Sequence, residues 1–199
     1  MLALEGTLSV IDFETTGSVH GHPNEPWQVG IVTIENGQIN ASNSFESYLR
    51  IKNRERPFHP QSPGRHHLLR DKLTTAPKMV EIWPKLSSYF KSHALVAHNV
   101  STEKHILLQQ FPMLKVSAWI DTLNLLRIAM PKLQSYALQD LIQRLDLTNK
   151  LQELCPNREA HDALYDSYAC SLLLLHLLQQ TGWQECSISY LTAASQKRN

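Results

Sequence analysis

The chain has 199 residues, of which 42% are hydrophobic and 19% are charged, a composition typical of a folded globular domain and not of a disordered chain. Its formal net charge of +1 indicates neither a polyanionic partner nor a membrane surface. The three cysteines form no Cys-x-x-Cys pair, so the sequence predicts neither a disulfide framework nor a zinc site and favours a reducing compartment.

We expect a soluble, cytoplasmic protein that does not span a membrane. The first ten residues, MLALEGTLSV, lack the basic region of a signal peptide, and Glu5 and Gly6 interrupt their apolar run. The most apolar stretch, CSLLLLHLL at 170–178, is far shorter than the ~20 residues of a membrane-spanning helix.

The first third of the chain predicts three strands. LSVIDF at 8–13 is typical of a buried strand, and WQVGIVTI at 27–34 and INASNSFESYL at 39–49 predict two more. Asn36 and Gly37 separate the last two strands, and this dipeptide favours a hairpin turn because both of its positions adopt positive φ. We therefore expect an antiparallel three-stranded meander.

The middle of the chain alternates loops, helices and short strands. The polar, proline-rich stretch at 50–67 predicts a loop, and apolar residues at helical spacing predict a helix over 78–90. HALVAHN at 93–99 predicts a buried strand, followed by a helix over 102–111 and a fifth strand at 117–120. Strands that are reached through helices indicate crossover connections.

Helices dominate the last part of the chain. The pattern predicts helices over 121–129 and 135–145 and a long helix over 162–180. Residues 183–199 form a tail whose structure the sequence leaves open, so we assign one domain to residues 1–182. The order of elements predicts an α/β fold with a mixed sheet.

The first candidate site lies at the end of the first predicted strand. Asp12 and Glu14 are two residues apart, so their side chains project from the same face of the strand. They could be solvated surface acids at a junction between strand and loop. Two like charges beside each other repel unless a cation lies between them, and carboxylate oxygens suit Mg²⁺ or Mn²⁺.

Two further stretches combine polar and acidic residues near the start of a helix. His98 and Asn99 end a predicted strand, and Glu103 falls in the first turn of the helix that follows. His161 precedes the long helix, and Asp166 lies near its first turn. Taken alone, Glu103 could merely stabilise the helix dipole, and Asp166 could lie on the surface. A buried Asp166 would need a partner or a metal ion.

Together these stretches resemble the three motifs of the DnaQ-like DEDDh 3′–5′ exonucleases. The matching segments are IDFETTG at 11–17, AHN at 97–99 with an acid four residues later, and HDALYD at 161–166. The resemblance extends to WQVGIV and to IDTLNLLRIAMPKLQSYALQDLIQRLDL, and it covers about residues 8–178. It implies an RNase H-like fold, in which a five-stranded mixed sheet begins with three antiparallel strands and is flanked by helices.

The resemblance also implies a mechanism with two Mg²⁺ or Mn²⁺ ions, about 4 Å apart, on either side of the scissile phosphate. Asp12 would bridge the two ions, and Glu14 and Asp166 would complete the tighter site. His161 would be the general base that takes a proton from the attacking water, because its pKa is near neutral. Hydrolysis would release nucleoside monophosphates from the 3′ end of single-stranded DNA or RNA.

Glu103 departs from the family pattern, which has Asp at this position. The longer side chain moves the carboxylate, but in the family this acid supports the looser second ion, often through water. We therefore expect a working site that includes Glu103 among the metal ligands. The alternative is a nucleic-acid-binding module that kept the fold and lost turnover.

Further residues are predicted to hold the substrate. By resemblance, these are Thr15, Thr16, His98 and Asn99 around the 3′-terminal nucleotide. The stretch 50–72 is the most basic part of the chain, and Arg54 and Arg56 within it could bind phosphates; it could equally be a solvated loop.

Asp121 could serve as a spare metal ligand, but an N-cap is the better interpretation, because the family has an acid at the start of this helix. The sequence does not decide between DNA and RNA, or between a monomer and a homodimer.

Overall fold

The computed structural model describes residues 1–60 and 66–196, without the side chains of residues 66 and 67. Strands β1 to β5 span Thr7–Thr15, Pro26–Glu35, Gln38–Tyr48, Ala94–Ala97 and Trp119–Asp121. Helices α1 to α4 span Arg70–Thr75, Met79–Tyr89, Ser101–Gln110 and Thr122–Ala129. Helices α5 to α8 span Leu138–Arg144, Thr148–Leu154, Ala163–Leu178 and Ile188–Gln196. Short 3₁₀ turns lie at Ala3–Glu5 and His66–Leu69.

The strands form one mixed sheet in the order β3-β2-β1-β4-β5. β1, β2 and β3 pair antiparallel, and β4 and β5 join them in parallel. Asn36 and Gly37 have φ of 50° and 72°, as the hairpin signal predicted. The mixed sheet that begins with an antiparallel meander is confirmed.

The side chains of β1 divide the core into two layers. Ile11 and Phe13 pack with residues of α2 and α3, whereas Leu8 and Val10 pack with residues of α7 and α8. Because side chains alternate along a strand, Asp12 and Glu14 project toward the face covered by α7. The predicted acids therefore lie on the same side of the sheet as the long helix.

β1 is longer than its parallel neighbour. The pairing of β1 with β4 covers only Leu8, Ser9 and Val10, whereas the pairing with β2 continues to Thr15. The β4 side of β1 is therefore open from Asp12 onward, and the first turn of α3 approaches it there. This gap lets a side chain from α3 reach the carboxylates at the end of β1.

Gly30 lets α7 approach the sheet closely. It lies opposite Asp12 in β2, and a Cβ at this position would be 2.2 Å from the carbonyl oxygen of Ala163. The Ser167 hydroxyl donates to the carbonyl of Gly30 at 3.0 Å. The start of α7 therefore rests directly on the backbone of β2, which brings Asp166 close to the acids of β1.

We expect Gly30→Ala to lower the free energy of unfolding by about 1–3 kcal/mol or more, because the added methyl group overpacks a site that holds backbone atoms. Urea denaturation of the variant and of the wild type measures the change. Gly21→Ala is the control, since Gly21 has φ of 76° and a Cβ added to it would meet no atom within 4 Å, so its effect is conformational alone. Equal losses in the two variants would contradict the close packing of α7 on β2.

Three helices lie outside the sequence-based predictions. These are α1, α6 and α8; α6 buries Leu151, and α8 buries Leu191. α8 packs against α4 and β5, so most of the C-terminal tail is helical and packed against the sheet layer. The loop predicted over 50–67 has no helix or strand from 50 to 60, ends in the 3₁₀ turn, and includes residues 61–65, which lie outside the described residues.

No helix within the described ranges has both the length and the apolar composition needed to cross a membrane.

Candidate active site

Three side chains from distant parts of the chain meet above the end of β1. Glu14, His161 and Asp166 each place one potential ligand atom so that all three atoms lie within 4.8 Å of one another. Glu14 and Asp166 are each 7% exposed, whereas His161 is exposed. Asp12 is not part of this set; it lies two residues before Glu14 in β1, and burial and the charges of Asp166 and Glu14 raise its pKa. The segments predicted to converge are therefore brought together.

Asp162 fixes the start of α7. Its carboxylate accepts hydrogen bonds from the backbone N–H groups of Leu164 and Tyr165, as expected of an N-cap residue. The preceding His161 has φ of 68°, and its N–H donates to Asp166 Oδ2 at 3.0 Å. The turn before α7 thus holds the backbone of His161 directly against the carboxylate of Asp166.

The same Asp162 ties this turn to the sheet. The side-chain amide of Gln28 in β2 donates from Nε2 to Asp162 Oδ2 at 3.2 Å, and its Oε1 accepts the N–H of Ala163. Arg158 donates to both oxygens of Asp162 at 2.8 and 2.9 Å and pairs with Glu46 of β3. The position of the His161 turn is therefore set by two strands of the meander.

Gln139 supports Asp166 from the other side. Its Nε2 donates to Asp166 Oδ1 at 3.0 Å, so each oxygen of Asp166 accepts one hydrogen bond from the protein. Nothing in the sequence pattern singled out Gln139, because its partner is 27 residues away. The first residues of α5 are thus part of the frame that orients the acid.

His98 has structural partners within the protein, and its predicted contact with the substrate stays a prediction. Its Nε2 lies 2.8 Å from the carbonyl oxygen of Tyr136, and its Nδ1 lies 3.0 Å from Thr122 Oγ1. Nε2 donates to the carbonyl of Tyr136, because a carbonyl oxygen only accepts, and Nδ1 contacts the hydroxyl of Thr122, which also donates to the carbonyl of Ala97. Burial lowers the pKa of His98. Both ring nitrogens are therefore occupied in holding β4, α4 and the segment before α5 together.

Burial and mutual repulsion raise the pKa values of the acids. Burial first, and then the charge of Asp166, raises the pKa of Glu14 to about 8. Burial raises the pKa of Asp166 to about 7, although the His161 N–H and Gln139 act in the opposite direction. Burial and the charges of Asp166, Glu14 and Glu103 raise the pKa of Asp12 well above its ordinary value. These acids would be charged together at neutral pH only beside a cation.

In a chelator, the free energy of unfolding is expected to fall as the pH rises from about 5 to about 8. The folded-state pKa values of Glu14 and Asp166 lie above the ordinary values of 4.5 and 3.8. The folded protein therefore binds more protons than the unfolded chain in this range, and stability decreases with pH. Urea titrations at about pH 6 and pH 8 measure the effect, and added Mn²⁺ should reduce it. Equal stability at both pH values in EDTA would contradict the shifted pKa values.

Glu103 enters the site through the gap beside β1. It is 3% exposed, and burial raises its pKa to about 8, while the backbone N–H groups of Glu103 and Phe13 act in the opposite direction. Its Oε2 is buried and has no hydrogen-bond partner among the described residues. An unpartnered carboxylate oxygen beside other acids fits a divalent cation with oxygen ligands.

Asp121 is a structural acid, in agreement with the N-cap interpretation. It accepts the N–H of Leu123 at the start of α4, and it also accepts the N–H groups of Asn99 and Val100 at 3.1 and 3.3 Å. The carboxylate therefore holds the turn between β4 and α3 as well as the start of α4.

Three further residues that are predicted to contact the substrate, Asn99, Thr15 and Thr16, differ in their exposure. Asn99 is exposed with φ of 74°, and Thr15, the last residue of β1, is half-buried. Thr16 is 0% exposed; its N–H donates to the carbonyl of Glu25, and its hydroxyl accepts the N–H of that residue. The N–H and the hydroxyl of Thr16 are thus used within the loop, and its predicted role at the 3′ nucleotide stays a prediction.

Two arginines of the basic stretch at 50–72 form ion pairs within the protein. Arg56 is 1% exposed, pairs with Glu25, and donates to the carbonyl of Pro23. This buried pair gives Arg56 a partner within the protein, and its predicted phosphate contact stays a prediction. Arg54 is exposed and pairs with Asp71, so its predicted contact with substrate stays a prediction. Arg65, in the same stretch, lies outside the described residues.

Comparisons with known proteins agree with this geometry. A family model described as Exonuclease, of the RNase T type, matches residues 9–174. PolC-type DNA polymerase III of Bacillus cereus is 29% identical over 182 residues, which cover 89% of this chain and 12% of that protein. Exodeoxyribonuclease 10 of Escherichia coli K12 is 28% identical over 177 residues, which cover 88% of this chain and 70% of that protein.

Solved structures give the same result. Exonuclease X in complex with 5′ overhanging duplex DNA has a TM-score of 0.71 and 26% identity, and the match covers 94% of this chain and 99% of that chain. This likeness confirms the predicted RNase H-like fold. The chain spans only 12% of the length of the PolC-type polymerases that it matches.

Proposed function

The chain belongs to the exonuclease family, and from this premise we propose that it is a metal-dependent 3′–5′ exonuclease. It would hydrolyse single-stranded DNA or RNA ends to nucleoside monophosphates. The observation that carries the proposal is the convergence of Glu14, Asp166 and His161 within 4.8 Å, in a family of exonucleases. Two buried carboxylates and an exposed imidazole are the groups that metal-assisted phosphodiester hydrolysis needs.

The acids would hold the cofactor. Asp12, Glu14 and Asp166 offer carboxylate oxygens at the end of β1 and the start of α7, and Glu103 offers the unpartnered Oε2. All four are hard oxygen donors, which suit Mg²⁺ or Mn²⁺, and the set is large enough for two ions. When bound, such ions supply Lewis-acid activation of the phosphate and of water.

His161 would move the proton. Its ring is exposed beside Glu14 and Asp166, and burial of part of the ring lowers its pKa from the ordinary value, which favours the unprotonated form that a base needs. The imidazole accepts the proton of the water that attacks phosphorus, and the bond from phosphorus to the 3′ oxygen of the preceding nucleotide breaks. Asn99 and Thr15, which are accessible at the strand ends, would position the terminal nucleotide.

The alternative function is a nucleic-acid-binding module that lost turnover through Glu103. The burial of Glu103 against β1 and its unpartnered oxygen support a retained ligand, since a carboxylate without a role would be unfavourable there. We therefore place Glu103 among the metal ligands of a working enzyme.

The experiment offers 5′-labelled DNA and RNA oligonucleotides of matched sequence to the purified protein in Mg²⁺, Mn²⁺ or EDTA. Stepwise shortening from the 3′ end that stops in EDTA supports the exonuclease. Retention of the oligonucleotide without shortening supports the binding module. Failure to bind or shorten any 3′ end, with Mn²⁺ supplied, would overturn both. The ratio of the DNA and RNA rates identifies the preferred sugar.

Cytoplasmic location, predicted from the unpaired cysteines, and the choice between monomer and homodimer stay predictions. Gel filtration of the purified chain tests the oligomeric state.

A further inference from the structure

A cleft of about 610 Å³ lies next to the turn that carries Asn99. We call it the Asn99 cleft; its lining includes Asn99, Ser101, Lys104, Trp119, Asn124 and Arg127. It lies between the start of α3, β5, α4 and the end of α8. It shares Asn99 with the proposed nucleotide contacts and lies at the β5 edge of the sheet.

The Asn99 cleft carries uncompensated positive charge. Neither Lys104 nor Arg127 forms an ion pair with a carboxylate in the part of the chain that the structure describes. The acid in the lining, Asp121, already accepts N–H groups from the turn before α3 and from the start of α4. The lining therefore combines two cations with one acid, and its net charge is positive.

Aromatic rings hold both cations in place. Lys104 Nζ lies 5.6 Å from the centroid of the Trp119 ring, and the Arg127 guanidinium lies 5.6 Å from the centroid of the Tyr136 ring. These contacts limit the freedom of the long side chains without neutralising them. The cations are thus available to anionic groups and partly preordered for them.

The other clefts near the site are less suited to phosphates. The cleft beside His161 contains Arg158, but this cation is already paired with Glu46 and Asp162. Lys52 and Lys78 line a third cleft together with Met79 of α2. None of the residues that line this third cleft is a proposed metal ligand or a proposed nucleotide contact.

We propose that the Asn99 cleft binds the phosphates of the substrate strand on the 5′ side of the scissile bond. The inference rests on the proposed function and adds the path of the strand to it. Lys104 and Arg127 would contact about two phosphates, while the 3′-terminal nucleotide occupies the carboxylate site. Phosphate contacts of this kind contribute affinity without sequence specificity.

The test compares the wild type with the double variant Lys104→Gln/Arg127→Gln, which keeps much of each side chain and removes both charges. Fluorescence anisotropy with a labelled single-stranded DNA of about 12 nucleotides, in Ca²⁺ over a range of salt concentrations, gives the affinity. Loss of two phosphate contacts should reduce the slope of log K against log salt by about 1.4 and weaken binding roughly 10-fold at low salt.

A second readout uses the p-nitrophenyl ester of thymidine 5′-monophosphate, which has no nucleotide on the 5′ side. The loss of kcat/KM on the long oligonucleotide should exceed the loss on this ester by about 10-fold. The control is Arg144→Gln/Lys150→Gln, which removes two exposed cations of α5 and α6 and should leave both readouts unchanged.

An unchanged salt slope in the Lys104→Gln/Arg127→Gln variant would overturn the proposed path. So would equal losses on the long and short substrates, because the cations would then act at the carboxylate site. A wild type that cleaves neither substrate would overturn the exonuclease, while the salt slopes would still decide whether the cleft binds the strand.

Discussion

Asp12→Asn is expected to reduce exonuclease turnover by roughly 10³-fold or more, since it removes a charge that positions the cofactor at the reacting phosphate. The change is nearly isosteric, so the fold should persist. In EDTA the variant should unfold at a higher temperature than the wild type, because the charges of Asp166, Glu14 and Glu103 all act against an ionised Asp12. Activity and metal-free stability should therefore move in opposite directions.

Two measurements check this prediction: the rate of shortening of a 5′-labelled oligonucleotide, and thermal unfolding with and without Mn²⁺. A ligand that binds only the folded state raises the unfolding temperature, so the increase given by Mn²⁺ in the wild type should shrink in the variant. Asp140→Asn is the control, since Asp140 is an exposed acid in the first turn of α5. Wild-type turnover in Asp12→Asn would contradict the proposal that Asp12 is a metal ligand.

The meander and the long helix could be predicted because their signals are local. Apolar strand patterns and the Asn36-Gly37 turn indicate β1 to β3. The long apolar run of α7 indicates a buried helix. α6 and α8 are short, and helices of this length depend on tertiary packing more than on their own sequence. Leu151 of α6 and Leu191 of α8 are buried in parts of the core that form only when the sheet is assembled.

The same distinction applies to the site. The proximity of Glu14, His161 and Asp166 could be predicted, because spaced carboxylates and a histidine form a recognisable pattern. The contribution of Gln139 could not be predicted, since it depends on one hydrogen bond to a helix that is distant in sequence.

His98 and Arg56 looked like substrate contacts because a polar residue in a loop is compatible with a ligand or with an internal partner. Their partners, the carbonyl of Tyr136 and the carboxylate of Glu25, are distant in sequence. Residue type therefore indicated the chemistry of these groups, whereas their partners within the protein depend on the fold.

His161→Gln is the second variant with a large expected effect, a fall in kcat of roughly 10²- to 10⁴-fold, as is typical when a general base is removed. The ring is exposed, and the hydrogen bond from this residue to Asp166 comes from the backbone N–H. Glutamine preserves that bond, so stability and Mn²⁺ affinity should change far less than turnover. Calorimetric Mn²⁺ titration and single-turnover assays separate the two effects.

The pH profile distinguishes a base from a residue that only shapes the site. A general base must be unprotonated, so kcat/KM in the wild type should rise with pH through the pKa of His161, which burial lowers from the ordinary value. The variant should lose this rise. His105→Gln is the control, because His105 is exposed on α3 and contacts Gln109. A His161→Gln variant that keeps both the rate and the acidic limb would assign the proton transfer to another group, and the carboxylates would remain as the only chemical machinery of the site.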